Sequence, residues 1–363
     1  MATTDRRSEP GLDLYRALVV LMMFVVHTRR LQPPSAGPLE RGLAFFMWAE
    51  PFIAASFLFI AGVALALAAE KAGFLAKALR RVPVLYALAV LLFVPQYGVD
   101  LPDLLASPGI LSAIALALAL VAGALASPAP NATLCALGLV VLGVTAFLDR
   151  SGATVSGLNA GPGGAFPLIA FTALGALVTR AERRTGARAF GFGLALAVPL
   201  FVAALALGGS WVTERVSFYR AHSGQLALLS LGTDAPRAAM RFWNHSAVGA
   251  VGLAAPLLGS LALALWAGRK LAGSRALAPF LVLGRHALAV YVVHLGLLGV
   301  LDLAGLAPRS PVATWGTVAA IAVTCWCVAW VLELRTASAR RGTLRADTPA
   351  GGTGGGRSPR PQT

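Results

Sequence analysis

The chain has 363 residues, 57% of them hydrophobic and only 12% charged, against roughly a quarter charged in an ordinary soluble domain. That balance excludes a water-soluble fold for most of the length. A formal net charge of +15 raises nucleic acid as a partner, so the placement of the basic residues has to be read before a partner is named.

In chain order, mainly apolar runs of roughly the 17 to 25 residues needed to cross a bilayer lie near 11–28, 45–69, 82–98, 108–127, 132–148, 164–180, 189–208, 246–267, 280–301 and 312–334. The expected fold class is all-α, a polytopic transmembrane helical bundle of about ten spans. The first and third runs are weak, because 17–26 and 82–94 need flanking polar residues to complete a crossing. Placing the N-terminus inside puts 19 Lys or Arg in cytoplasmic segments and 9 in outer loops, with Arg16 and Arg285 at or inside spans. The positive-inside rule expects this asymmetry when the N- and C-termini are both cytoplasmic. The basic charge then sets topology, and no basic stretch interleaved with aromatics suggests a nucleic-acid surface. A secretory signal peptide is the competing view of the first run, since Arg6 and Arg7 precede it. Asp13, Arg16 and the Arg29 and Arg30 pair stand against that view.

Connections between the runs are short. Residues 127–131 form a Pro-rich turn without charge, fit for a tight helical hairpin. The exception is the outer segment 209–244, which carries Trp211, Tyr219, Arg220, His222, Asp234, Arg237, Arg241 and Trp243. Residues 1–335 read as one multi-pass membrane domain. Residues 336–363, rich in Gly, Pro, Thr and Arg, read as a disordered cytoplasmic tail with too little apolar surface to bury. Cys135, Cys325 and Cys327 all sit in apolar runs, where packing is the expected role and neither a disulfide framework nor a zinc site is plausible. No internal repeat of the transporter kind stands out.

Ionisable groups are costly in hydrocarbon, so those inside spans are the functional leads. The first run reads DLYRALVVLMMFVVH from Asp13 to His27. At about 100° per residue, the offset of Arg16 from His27 closes to within about 20°, and that of Asp13 to within about 40°. All three share one helix face. The rise of about 1.5 Å per residue separates Arg16 from His27 by roughly 16 Å. Such a stripe could hold an anionic group near the cytoplasm and place a base deep in the membrane. The plainer alternative is that Asp13 and Arg16 mark the start of the helix and His27 its end.

LDLYRALVVLMMFVVH resembles the opening helix of the membrane acyltransferase superfamily, which includes the acyltransferase 3 enzymes and the heparan-α-glucosaminide N-acetyltransferase catalytic family. Its arginine, ten-residue gap and histidine match Arg16 and His27. EPFIAASFLFIAGVALALAAEK, with Phe57, Phe59 and Gly62, resembles the next family block and sits closer to the heparan-acetyltransferase branch. GRHALAVYVVHLGLL resembles a third, with Gly284, Arg285, Tyr291 and His294 in register.

The resemblance implies acyl transfer, usually of acetyl from acetyl-CoA, to a hydroxyl or amine of a sugar, with His27 catalytic. Acyl-CoA is then the co-substrate, with no metal. The partners are membrane lipid and a glycan or lipid-linked sugar of the cell envelope, with no nucleic acid, and the location is the cell (inner) membrane. An imidazole near neutrality can take a proton from an attacking hydroxyl or amine, and an arginine can fork onto phosphate or onto a carboxylate such as Asp13. Among supporting residues, His294 shares a helix face with Tyr291 and either faces the cavity or packs in the core. Glu50 either orients His27 or is an interfacial carboxylate before Pro51. Arg285 and His286 either serve the site or mark a helix start. His222 and His245 could meet a sugar or simply be exposed. The cluster Arg180, Arg183, Arg184 and Arg188 sets topology or attracts coenzyme A. A transporter or flippase, with Asp13, Arg16, His27 and His294 as an ion path, is the alternative function. A Gly-rich phosphate loop with lysine, an HExxH motif and a nucleophile elbow are all absent from the sequence.

Overall fold

A computed structural model describes residues 9–32, 37–97, 99, 101–153, 155–185, 187–208, 246–271 and 273–346. Its described residues form fourteen helices: α1 (Pro10–Arg30), α2 (Pro38–Trp48), α3 (Glu50–Ala68), α4 (Phe74–Leu79), α5 (Arg81–Tyr97), α6 (Leu101–Ala106), α7 (Ile110–Leu125), α8 (Pro130–Ser151), α9 (Leu168–Thr185), α10 (Ala187–Gly208), α11 (Ala247–Lys270), α12 (Ala278–Arg285), α13 (Ala287–Leu303) and α14 (Pro311–Ala346). No strand forms among the described residues beyond an isolated bridge between Ser156 and Ala160.

Local chemistry sets several of these ends. Pro10 and Pro130 open α1 and α8, where a missing backbone N–H costs nothing. Ser246 caps α11 by accepting from the Gly249 amide at 3.0 Å. Gly152 closes α8 with φ of 66°, a left-handed conformation that glycine adopts without strain. Asp13 in the first turn of α1 and Arg29 and Arg30 in its last match the sign of the helix dipole at each end.

Each of the ten apolar runs contains a helix, but the helices are not equally able to cross a bilayer. Among the described residues five are long and apolar enough: 10–30, 38–68 taken as α2 with α3, 130–151, 247–270 and 311–338. Helices α12 and α13 meet at 85° around His286, and counting them as one broken span makes six. α5 and α7 are shorter, at 17 and 16 residues, and α9 carries Arg183 and Arg184 in its last turn. At the other end of the chain α14 runs on to Ala346, past position 335 where a disordered tail was expected to begin. The reason lies in residues 336–346, TASARRGTLRA, which are mostly tolerant of helix and contain no proline. The outer segment 209–244, with His222, and the neighbouring His245 lie outside the described residues.

Helix α1 is the hub, packing against α2, α3, α11, α12, α13 and α14. In its most apolar stretch 72% of residues are buried, as are 67% in the span of α2 with α3, against 22% for α8 and 17% for α14, which places the charged first run at the centre and α8 and α14 outside. Phe24, Leu58, Phe59, Ile169, Leu257 and Val290 are among the fully enclosed side chains of this core. Outward-facing Leu139 and Phe147 on α8, Trp266 on α11 and Trp330 on α14 suit a surface solvated by lipid.

Glycines bring the central helices close. A Cβ at Gly62 would lie 1.9 Å from the Thr172 carbonyl oxygen, and one at Gly175 would lie 2.1 Å from that of Phe59. These two positions press α3 and α9 together backbone to backbone, as small residues do between membrane helices. At Gly284 a Cβ would lie 1.8 Å from the Asp13 carbonyl oxygen, so α12 abuts the start of α1.

Candidate functional site

The face of α1 that carries Asp13, Arg16 and His27 meets the segment α12–α13 at two places. Asp13 lies beside Arg285, and His27 beside His294.

At the His27 end, its Nδ1 lies 2.8 Å from Nε2 of His294. The ring planes differ by 13° with centroids 5.1 Å apart, so the imidazoles meet edge to edge, nearly coplanar. His294 Nδ1 lies 3.3 Å from the Val290 carbonyl oxygen. A carbonyl only accepts, so Nδ1 of His294 carries the hydrogen, and in the neutral pair its Nε2 presents a lone pair. His27 Nδ1 must then donate, which leaves the lone pair of His27 on Nε2. The backbone of α13 thereby fixes the tautomer of a histidine on α1. Phe24 and Tyr291 close on the His294 ring, with centroids at 5.2 and 5.4 Å. His294 is fully buried, whereas His27 is half-buried.

At the Asp13 end, Asp13 pairs with Arg16 at 3.2 Å and faces Arg285 at 3.6 Å. Arg285 also pairs with Glu333 of α14, and His286 lies 3.0 Å from the same carboxylate. Asp13 is buried, but the side chains of Arg16 and Arg285 keep 26% and 31% of their surface exposed. Two guanidinium groups thus share one buried carboxylate and retain donors at the surface.

Past His27, the end of α1 is tied to three further helices. Arg29 Nε donates to Glu40 of α2 at 2.9 Å, Arg30 pairs with Glu50 of α3, and Gln32 takes the hydroxyl of Thr314 on α14. Glu50, one of the two roles considered for which was to orient His27, is instead held by Arg30. The start of α3 presents it to the final turn of α1 rather than to the histidine one turn earlier.

Tyr291 and His294 therefore join His27, Asp13 and Arg285 join Arg16, and Glu50 joins neither group directly. The residues that sequence alone undervalued are Arg30 and Glu333. Arg30 was noted only as a charge flanking the first run, and Glu333 sits inside an apolar run where it was passed over, although any carboxylate there is a lead. The hydroxyl of Tyr15, bonded to Ser56 at 3.0 Å and accepting from Ser260 at 3.3 Å, has no local signal in the sequence. Among the described residues no three His, Cys, Asp or Glu side chains converge to hold a metal ion.

The profile of the family described as heparan-alpha-glucosaminide N-acetyltransferase, catalytic, matches residues 9–212, more than half of the chain. The chain belongs to this family. No curated protein matches it. The matched segment begins where α1 begins and includes Asp13, Arg16, His27 and Glu50. Arg285 and His294 lie beyond it, so for this member of the heparan-alpha-glucosaminide N-acetyltransferase family the second half of the histidine pair is supplied by fold geometry rather than by the matched segment.

Proposed function

We propose that the protein is a multi-pass acyltransferase of the cell (inner) membrane, moving acetyl from acetyl-CoA to a hydroxyl or amine of a cell-envelope carbohydrate. Membership of an acetyltransferase family, the apolar helices and the coupled histidines support this reading, and the last of these carries it. In this reading about ten segments cross the bilayer, the shorter helices spanning with their flanking residues, and both termini are cytoplasmic. Residues 1–335 constitute the membrane domain.

The chemistry follows from the fixed tautomer. Nε2 of His27 accepts the proton of the acceptor hydroxyl or amine as its oxygen or nitrogen attacks the thioester carbonyl. The bond from carbonyl carbon to sulfur breaks, and the departing thiolate takes the proton back from His27. His294 holds the Nδ1 hydrogen in place while the imidazolium exists, just as an orienting partner steadies a general base. Arg16 and Arg285 grip the anionic phosphates of the donor at the inner end of α1. The roughly 16 Å of helix between Arg16 and His27 is then spanned by the flexible arm of the coenzyme. Tyr291 packs the pair, and Asp13 keeps the two arginines together.

Membranes containing the protein, incubated with labelled acetyl-CoA, test this. Label should appear in glycan and should vanish with His27→Ala at equal protein level. Full transfer by that variant sinks the assignment of His27. Uptake of a sugar by sealed vesicles with no acetylated product would favour a transporter instead.

A further inference from the structure

The Arg30 and Glu50 pair is an expensive thing to build at this place. Its side chains retain 9% and 2% of their surface, and a buried ion pair seldom adds stability over apolar packing. One oxygen of Glu50, Oε2, is enclosed without a hydrogen-bond partner. Helix packing alone does not call for such a pair, since Gly62 and Gly175 already lock α3 into the bundle.

Its position supplies a reason. Arg30 follows His27 by three residues, so the two side chains are neighbours on one face of α1, within electrostatic reach of each other. When His27 takes a proton from the acceptor, a second positive charge appears beside a permanent one in a medium of low dielectric. Among the described residues, the other groups near His27 do not offset it. Arg29 is met by Glu40, while His294 and Tyr291 on α13 and Gln32 and Thr314 at the α14 contact bring no negative charge. Arg16, Arg285, His286 and Glu333 sit at the opposite end of α1.

We infer that Glu50 is a positioning residue for catalysis: by holding and neutralising Arg30, it lets His27 carry the acceptor's proton. The inference rests on His27 being the base. It assigns the buried pair an electrostatic task, and it puts that task on the first turn of α3, where the second sequence block begins.

The test is acetyl transfer from acetyl-CoA to glucosamine, read as CoA thiol release across a range of pH. All variants are compared on the same acceptor, so its own titration is common to them. Glu50→Gln removes the carboxylate that faces Arg30, and kcat near neutrality should fall about tenfold with KM for glucosamine within about twofold. The limb of the pH profile that reports His27 should move about one unit toward acid, the scale of a single nearby charge. Arg30→Gln should move it the other way. The double variant Arg30→Gln with Glu50→Gln, which removes both charges, should return the limb to within a few tenths of a unit of the parent. A Glu50→Gln profile superposed on the parent's, or a double variant no closer to the parent than the single, overturns the inference even if activity is lost. Should Glu50→Gln fail to accumulate, the alkaline movement in Arg30→Gln decides, and its absence counts against. His27→Ala is measured alongside. If it is inactive while the Glu50→Gln limb is unmoved, only the role of Glu50 falls; if it is active, the choice of base falls.

Discussion

The two ends of α1 do different things with ionisable groups. At the start, Arg16 and Arg285 flank a buried Asp13 yet keep about a quarter to a third of their surface. Near the other end His294 is wholly enclosed, and the Arg30 and Glu50 pair nearly so. An exposed guanidinium pair can take and release an anion, because its charge is never fully stripped of solvent. An imidazole pair with one enclosed member and a set tautomer suits proton transfer, where a fixed lone pair matters more than accessible charge. In the proposed function, one helix then separates binding of a charged donor from the chemistry done on it.

Substitutions can break that comparison, beginning with the largest effect. His27→Ala should reduce acetyl transfer by about two to four orders of magnitude, measured with labelled acetyl-CoA in membranes holding equal protein. His294→Leu removes the acceptor for His27 Nδ1 and frees the tautomer, and should cost about 10- to 100-fold in kcat, as loss of an orienting partner does, with KM for acetyl-CoA little changed. Arg16→Ala and Arg285→Ala should show the reverse pattern. KM for acetyl-CoA should rise about tenfold, the worth of a charged hydrogen bond, with kcat largely kept and a weaker dependence on salt than the parent. If either arginine variant instead lost kcat at saturating donor, the separation of the two ends would be wrong.

Gly284→Ala probes what holds the ends in register. Its Cβ would meet the Asp13 carbonyl oxygen at 1.8 Å, so α12 has to back away from α1, at an expected cost of about 1–3 kcal/mol. A lowered melting temperature in detergent would report it. Leu139→Ala on the outer face of α8, where the side chain is 71% exposed, should change both stability and activity by less than about 0.5 kcal/mol.

How much of this was legible beforehand varies with the range of the interaction. That Asp13, Arg16 and His27 of the first run fall on one face could be read directly, by helical geometry alone. The third block pointed to Arg285 and His294, but not to which partner each would meet. The distinction between crossing helices and shorter ones was blurred, because hydropathy does not show that a single bend at His286 divides the run 280–301. Glu50 was considered as a partner for His27 and is found on Arg30, three residues further along the same helix.

The amino-acid sequence by itself determined an apolar helical protein, the charge asymmetry that argues for its topology, and the family to which residues 9–212 point. These are properties of composition and of local period, which survive whatever the helices do next. Only the tertiary structure decided that His27 and His294, 267 positions apart, share a hydrogen bond, and that Glu50 pairs with Arg30. Such pairings depend on how closely backbones approach at Gly62, Gly175 and Gly284 and on the angle between α12 and α13. Packing between distant segments fixes those quantities, and a local pattern along the chain does not encode them.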